Sequence, residues 1–202
     1  MITNSGFWLI RPDGSPTPGV QPSTVETSAA ASTTTAAGAP PATPDPDPSP
    51  SATGLVIPSG WHRYTDETGF SVAIPDGWRI ERTGTIVYFR EPGGSRYLGI
   101  DQTNQPQPDP VADWTGKEAY RVNRGDFPGY QRIRIEEVPY FQKAADWEFT
   151  YLVDGVRVHV LNRGFITAPD QAYGMWWSTS DSDWAASLDA LRLIQDSFTP
   201  RS

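Results

Sequence analysis

Ala145-Asp146-Trp147-Glu148-Phe149-Thr150-Tyr151-Leu152-Val153-Asp154-Gly155-Val156-Arg157-Val158-His159-Val160-Leu161 is the stretch whose reading decides the fold. Side chains of a strand alternate between its two faces. Trp147, Phe149, Tyr151 and Val153 therefore share one face, and Glu148, Thr150 and Leu152 the other. Past Asp154-Gly155, Val156, Val158 and Val160 oppose Arg157, His159 and Leu161. Asp-Gly suits the positive φ angles of a two-residue turn, so the stretch predicts a β-hairpin with a strongly apolar face.

Outward from the hairpin, further period-two runs are bounded by turn signals. Phe70-Ser71-Val72-Ala73-Ile74 stops at Pro75-Asp76-Gly77, and Trp78 opens the next segment. Ile86 and Tyr88 alternate with Val87 and Phe89 and end at Glu91-Pro92-Gly93-Gly94-Ser95. No Lys-Ser/Thr follows that glycine pair, and Arg96 to Ile100 reads as strand again, so a hairpin turn is expected there rather than a phosphate cradle. Strands are also predicted at Tyr130–Val138, Val156–Thr167 and Gln171–Ser178. Two segments have helical spacing. In the first, Asp109 caps, Pro110 suits the first turn, and Val111, Trp114, Ala119 and Val122 fall near one face. In the second, Ser180 or Asp181 caps a helix whose Trp184, Leu188, Leu191, Ile194 and Phe198 recur on one side. An amphipathic helix needs an apolar sheet face to cover. The expected fold class is α+β, a mainly antiparallel β-sheet with flanking helices.

The N-terminal quarter has a different composition. Between Arg11 and Pro58, 33 of 48 residues are Pro, Ser, Thr or Ala. So little apolar surface cannot offset an ordering cost of roughly 1–2 kcal/mol per residue, and a disordered linker is expected over 11–58. The alternating prolines from Ala39 to Pro50 favour extended polyproline geometry, which makes this tract a semi-rigid spacer. Ahead of it, Phe7-Trp8-Leu9-Ile10 is far shorter than the ~20 residues of a membrane-spanning helix. Residues 1–10 read as the outer end of such a helix, halted by Arg11-Pro12, or as an apolar patch at a terminus.

The globular domain is expected over 59–202, and its 144 residues suffice for one core. It carries 15 of the 16 basic and 20 of the 24 acidic residues. That acidic balance argues against nucleic acid, which demands a concentrated Lys/Arg surface. The chain has no cysteine, so no disulfide framework and no thiolate metal site can form.

Gly69-Phe70-Ser71-Val72-Ala73-Ile74-Pro75-Asp76-Gly77-Trp78, Pro128-Gly129-Tyr130, Ala144-Ala145-Asp146-Trp147-Glu148-Phe149-Thr150 and Asp196-Ser197-Phe198 carry a resemblance over nearly the whole domain. They resemble the extracytoplasmic C-terminal domain of actinobacterial transmembrane serine/threonine protein kinases, and the first run is also similar to the wider PsbP-like fold. The resemblance implies a parent with a cytoplasmic kinase domain, one membrane helix and a Pro/Thr/Ala-rich linker ahead of this domain. It implies a sensor, tethered outside the membrane and acting in signal transduction. The catalytic kinase motifs have no counterpart here: there is no Gly-rich loop with a strand Lys, no His-Arg-Asp loop and no Asp-Phe-Gly.

Other chemistry finds little purchase in the sequence. His62 and His159 are the only imidazoles, without His-Glu-x-x-His spacing or a Gly-x-Ser-x-Gly elbow, and neither a cofactor nor a metal is expected. Asp181 and Asp183 resemble half a calcium loop whose Gly and distant Glu are missing. The binding reading rests on Trp176 and Trp177, which a strand must aim at opposite faces. If one is exposed, Arg157, His159 and the Gln105–Asp109 loop would rim an aromatic platform for a sugar, a cell-wall fragment or a protein. Against it, a tryptophan-rich domain mostly uses its indoles as core, and a strand histidine beside Arg157 is ordinarily a surface residue. Two function classes stay open. One is a non-catalytic sensory ectodomain whose extracellular ligand, or contact with a second copy in a homodimer, biases a kinase. The other is a secreted or lipid-anchored envelope protein of the same fold.

Overall fold

The computed structural model describes residues 55–202. The expected membrane remnant at 1–10 and the linker up to residue 54 lie outside them. In chain order the elements are β1 (Trp61–Thr65), β2 (Ser71–Pro75), β3 (Arg79–Thr83), β4 (Ile86–Arg90), β5 (Tyr97–Thr103), α1 (Pro110–Asn123), β6 (Gln131–Glu137), β7 (Lys143–Val153), β8 (Val156–Ala168), β9 (Gln171–Ser180) and, after a single 3-10 turn, α2 (Trp184–Ser197). β3 to β9 form one sheet ordered β3-β4-β5-β9-β8-β7-β6, antiparallel throughout. β1 and β2 pair separately.

The decisive hairpin forms as read. Val153 pairs with Val156 across Asp154-Gly155, and both turn residues have positive φ, 49° and 80°. Trp147, Phe149, Tyr151 and Val160 are buried on one sheet face together with Ile86, Tyr88 and Trp176. α1 lies over β6, β7 and β8 on this side. Trp114 anchors it: its Nε1 donates to the Ala145 carbonyl at 3.0 Å, and a Cβ on Gly164 would sit 2.9 Å from its ring, so only glycine admits this helix.

The opposite face gathers Val87, Phe89, Leu98, Ile100, Met175 and Trp177 beneath Phe70, Val72 and Ile74 of the β1–β2 hairpin and Leu191, Ile194 and Phe198 of α2. Burying each of these large side chains contributes roughly 1.5–3 kcal/mol. α2 therefore uses the stripe its spacing predicts. α1 does not. Asp109 caps it as expected, accepting from the Ala112 N–H at 3.0 Å, but Ala119 is exposed. The buried face is completed by Lys117, Glu118 and Arg121 instead. Each of these has a partner: Lys117 pairs with Asp113, Arg121 with Asp126, and Glu118 accepts from Arg132 and the Tyr130 hydroxyl. Burial and the neighbouring Glu118 carboxylate push the Tyr130 phenol well above its ordinary value. β1 escapes the periodicity argument because His62, Arg63 and Thr65 face solvent and only Trp61 and Tyr64, three positions apart, pack against the core.

Candidate functional site

β8 carries Arg157 and His159, and β9 carries the two indoles. The pairing sets Trp176 opposite Asn162 and Trp177 opposite Leu161, so the rings do leave the sheet on opposite sides. Neither forms a platform. Trp176 is 1% exposed and Trp177 0%, because both faces of the sheet are covered at this point. Trp176 packs among Phe127 and Phe149 on the α1 side. Trp177 stacks on Trp78 at 6.0 Å and donates its Nε1 to the Ser187 hydroxyl of α2 at 3.1 Å. The exposed-indole reading is overturned, and core is their role.

The expected rim is dispersed as well. Arg157 donates to the Thr150 hydroxyl at 3.0 Å and to the Gly129 carbonyl at 3.3 Å, which fastens a loop to the hairpin. The Gln105–Asp109 loop lies elsewhere. Lys143, whose Nζ donates to the Pro108 carbonyl at 3.0 Å, pairs with Ile166 of β8. Ile166 is seven positions along that strand from His159, about 23 Å at the usual rise. There Pro106, Pro108, Gln142, Lys143, Ile166 and Pro169 border an open depression of about 280 Å³.

His159 is likewise not the surface histidine expected beside Arg157. Only 6% exposed, it stacks on the Trp184 indole with ring centres 3.6 Å apart and planes 4° from parallel. Its Nδ1 meets Asp181 Oδ1 at 2.9 Å, and its Nε2 meets Glu148 Oε1 at 2.9 Å. A ring carrying two N–H groups satisfies both carboxylates, whereas a neutral ring satisfies one. Glu148 in turn accepts from Arg134 Nε at 2.6 Å. Beside it Asp146, 0% exposed, accepts two bonds from Arg163, at 2.7 and 2.9 Å, and a longer one from Arg134. Burial lifts the Glu148 carboxyl, but the hydrogen bonds from His159 and Arg134 outweigh it and hold the group below its ordinary value.

The side-chain hydrogen bonds of Asp146, Glu148 and His159 run to Arg134, Arg163 and Asp181 and between Glu148 and His159. Among the described residues no hydroxyl is hydrogen-bonded to His159, and no group of three His, Asp or Glu side chains is placed for a metal. The arrangement ties β6, β7, β8 and the start of α2 together. Sequence reading missed it, because Asp146 and Glu148 alternate with aromatics and so look like a solvated face. The available signal was Arg134 and Arg163 on the flanking strands, at registers that oppose those acids.

The mainly antiparallel sheet with its two helices is PsbP-like in fold. The solution structure of cyanobacterial PsbP (CyanoP) from Synechocystis sp. PCC 6803 matches with a TM-score of 0.56 at 17% identity, over 72% of this chain and 95% of that one. The crystal structure of LpqN, involved in cell envelope biogenesis of Mycobacterium tuberculosis, gives 0.48 at 14% identity, over 69% and 91%. No curated protein matches the chain. A family model described as the serine/threonine kinase C-terminal domain matches residues 57–200, and the chain belongs to that family.

Proposed function

We propose that this domain is the non-catalytic, extracytoplasmic sensor of a membrane serine/threonine kinase, and that it binds a ligand or a partner at the tip of a Pro/Ala/Ser/Thr-rich tether. The reading is carried by the kinase C-terminal domain match over 57–200, immediately behind a tract whose composition suits a spacer. Supporting it, the buried ionisable groups are paired with one another around the core rather than gathered in an open cleft. Recognition then falls to exterior surfaces, of which the proline-bordered depression beside Lys143 is one.

Two measurements test this. The reading frame ahead of Met1 should encode a kinase domain followed by an apolar span; a signal peptide with a lipobox cysteine would instead favour a lipid-anchored envelope protein. In cells carrying the parent protein, removing 59–202 should change autophosphorylation in response to cell-wall fragments, and an unchanged response would sink the sensor role.

A further inference from the structure

The sheet ends in two edge strands of unlike character. β6 is blunted: its register slips between Arg132 and Arg134, and both arginines are tied back to Glu118 and Glu148. A bulge of this kind keeps an edge from pairing with strangers; charges alone do not separate the two edges, since on β3 Glu81 pairs with Arg90 and Arg82 with Asp66 and Glu67. β3 is regular. It pairs with β4 without a slip, its first four residues are exposed, and Ile80 stands 47% exposed on it. Among the described residues no strand pairs with its outer side.

The direction of its backbone groups follows from the turn. Thr83 and Ile86 close a two-residue loop whose first residue, Gly84, has φ +61°, as a type II′ turn requires. A closing pair of this kind is hydrogen-bonded. Alternation then commits the backbone groups of Thr83, Glu81 and Arg79 to β4 and turns those of Ile80 and Arg82 outward.

We propose that β3 is a self-pairing edge, at which two copies of the chain join antiparallel about a twofold axis through Ile80. In that register Ile80 exchanges both backbone hydrogen bonds with Ile80 of the second copy. Arg79 and Glu81, which share a face, lie directly across from Glu81 and Arg79. Arg-Ile-Glu is its own complement when reversed, and this is why the occupant is a second copy rather than an unrelated strand. Slipped by one residue, to an axis at Glu81, the pairing would set two carboxylates against each other. The proposed register also sets Arg79 beside Glu81 of the second copy, a carboxylate that within its own chain pairs with Arg90 at 2.9 Å. The contact is isologous and closes at two copies. It is independent of which ligand the domain senses.

The absence of native cysteine makes a clean test available. Facing Ile80 residues would have Cα atoms about 5.5 Å apart, inside disulfide range. The full chain carrying Ile80→Cys should oxidise to a covalent dimer, while Ile133→Cys on the blunted edge should stay monomeric. In sedimentation, Ile80→Pro removes the outward N–H at a position where an edge strand tolerates proline, and should abolish concentration-dependent dimerisation with the circular dichroism unchanged. Arg79→Glu should weaken the dimer about tenfold, and adding Glu81→Arg should restore it, since the double swap again sets opposite charges across from each other. If Ile80→Pro fails to fold, the cysteine and charge-swap arms decide. A wild-type chain that stays monomeric, a dimer that survives Ile80→Pro, equal cross-linking through Ile133→Cys, or no rescue by the swap would each overturn the proposal.

Discussion

The two faces of β7 are buried alike by opposite chemistry. Toward α1 stand Trp147, Phe149 and Tyr151, none more than 1% exposed. Toward α2 stand Asp146, Glu148 and Thr150, at 0%, 9% and 6%. The first face gains from leaving water and needs only shape. The second loses hydration on burial and holds together only because each acid meets cations at hydrogen-bond distance. Apolar burial drives this fold, while the charged face fixes which strands and which helix start belong together.

Removing each kind of contact separates the two. Trp147→Ala should have the largest effect, a loss of about 3–5 kcal/mol in urea unfolding. It empties the space beneath α1 and also deletes the bond from its Nε1 to the Tyr130 hydroxyl at 2.9 Å. A loss below about 1 kcal/mol would mean that α1 does not close a packed core. On the other face Asp146→Asn should cost about 3 kcal/mol, because it strips Arg163 of its carboxylate partner inside the protein. Replacing both partners with apolar residues, Asp146→Leu with Arg163→Met, should recover most of that loss. If the double variant is no better than the single one, the pair is a net source of stability rather than of specificity.

The same contrast explains what was legible in the sequence. The hairpin, α2 and the antiparallel sheet follow from apolar periodicity, because burial of hydrocarbon selects one face and leaves the pattern behind. α1 was only half legible: Asp109 marks its start, but Lys117, Glu118 and Arg121 occupy its buried face, and their partners come from elsewhere in the chain. The candidate site was misread for the same reason. Whether Trp176 and Trp177 are covered depends on layers contributed by α1, by α2 and by the separate β1–β2 hairpin, and His159 is covered by Trp184, which lies flat against it from beyond the sheet strands. Period two shows which way a side chain leaves a strand, not what it meets.

A smaller effect tests the charged face by pH. Glu148 is held below its ordinary value in the folded state, so its contribution is complete above the unfolded carboxylate pKa, ~4.3, and is lost as pH falls through the folded value. Asp66 behaves likewise, with burial opposed and outweighed by hydrogen bonds from Thr68 and Tyr64 and by Arg82. Glu148→Gln should cost about 2 kcal/mol at neutral pH, the worth of charge-assisted hydrogen bonds, and should flatten the decline of urea midpoints below the carboxylate range. An unchanged slope would assign the acid sensitivity to other groups, Asp66 first among them.

The smallest expected effect lies at the outer end of the same chain of contacts. Asp181 meets the other nitrogen of His159 at the distance Glu148 does, 2.9 Å, yet its side chain is 46% exposed against 12% for Glu148. Distance alone would rank the two contacts equal. Solvent screening ranks them apart, and Asp181→Asn should cost no more than about 1 kcal/mol in urea unfolding. An amide either accepts from a ring N–H or donates to a bare ring nitrogen, so the contact also survives the loss of charge. A double-mutant cycle with Glu148→Gln should show weak coupling. A cost above about 2 kcal/mol for Asp181→Asn would mean that Trp184 shields this end as well, and that the charged face extends into the 3-10 turn ahead of α2.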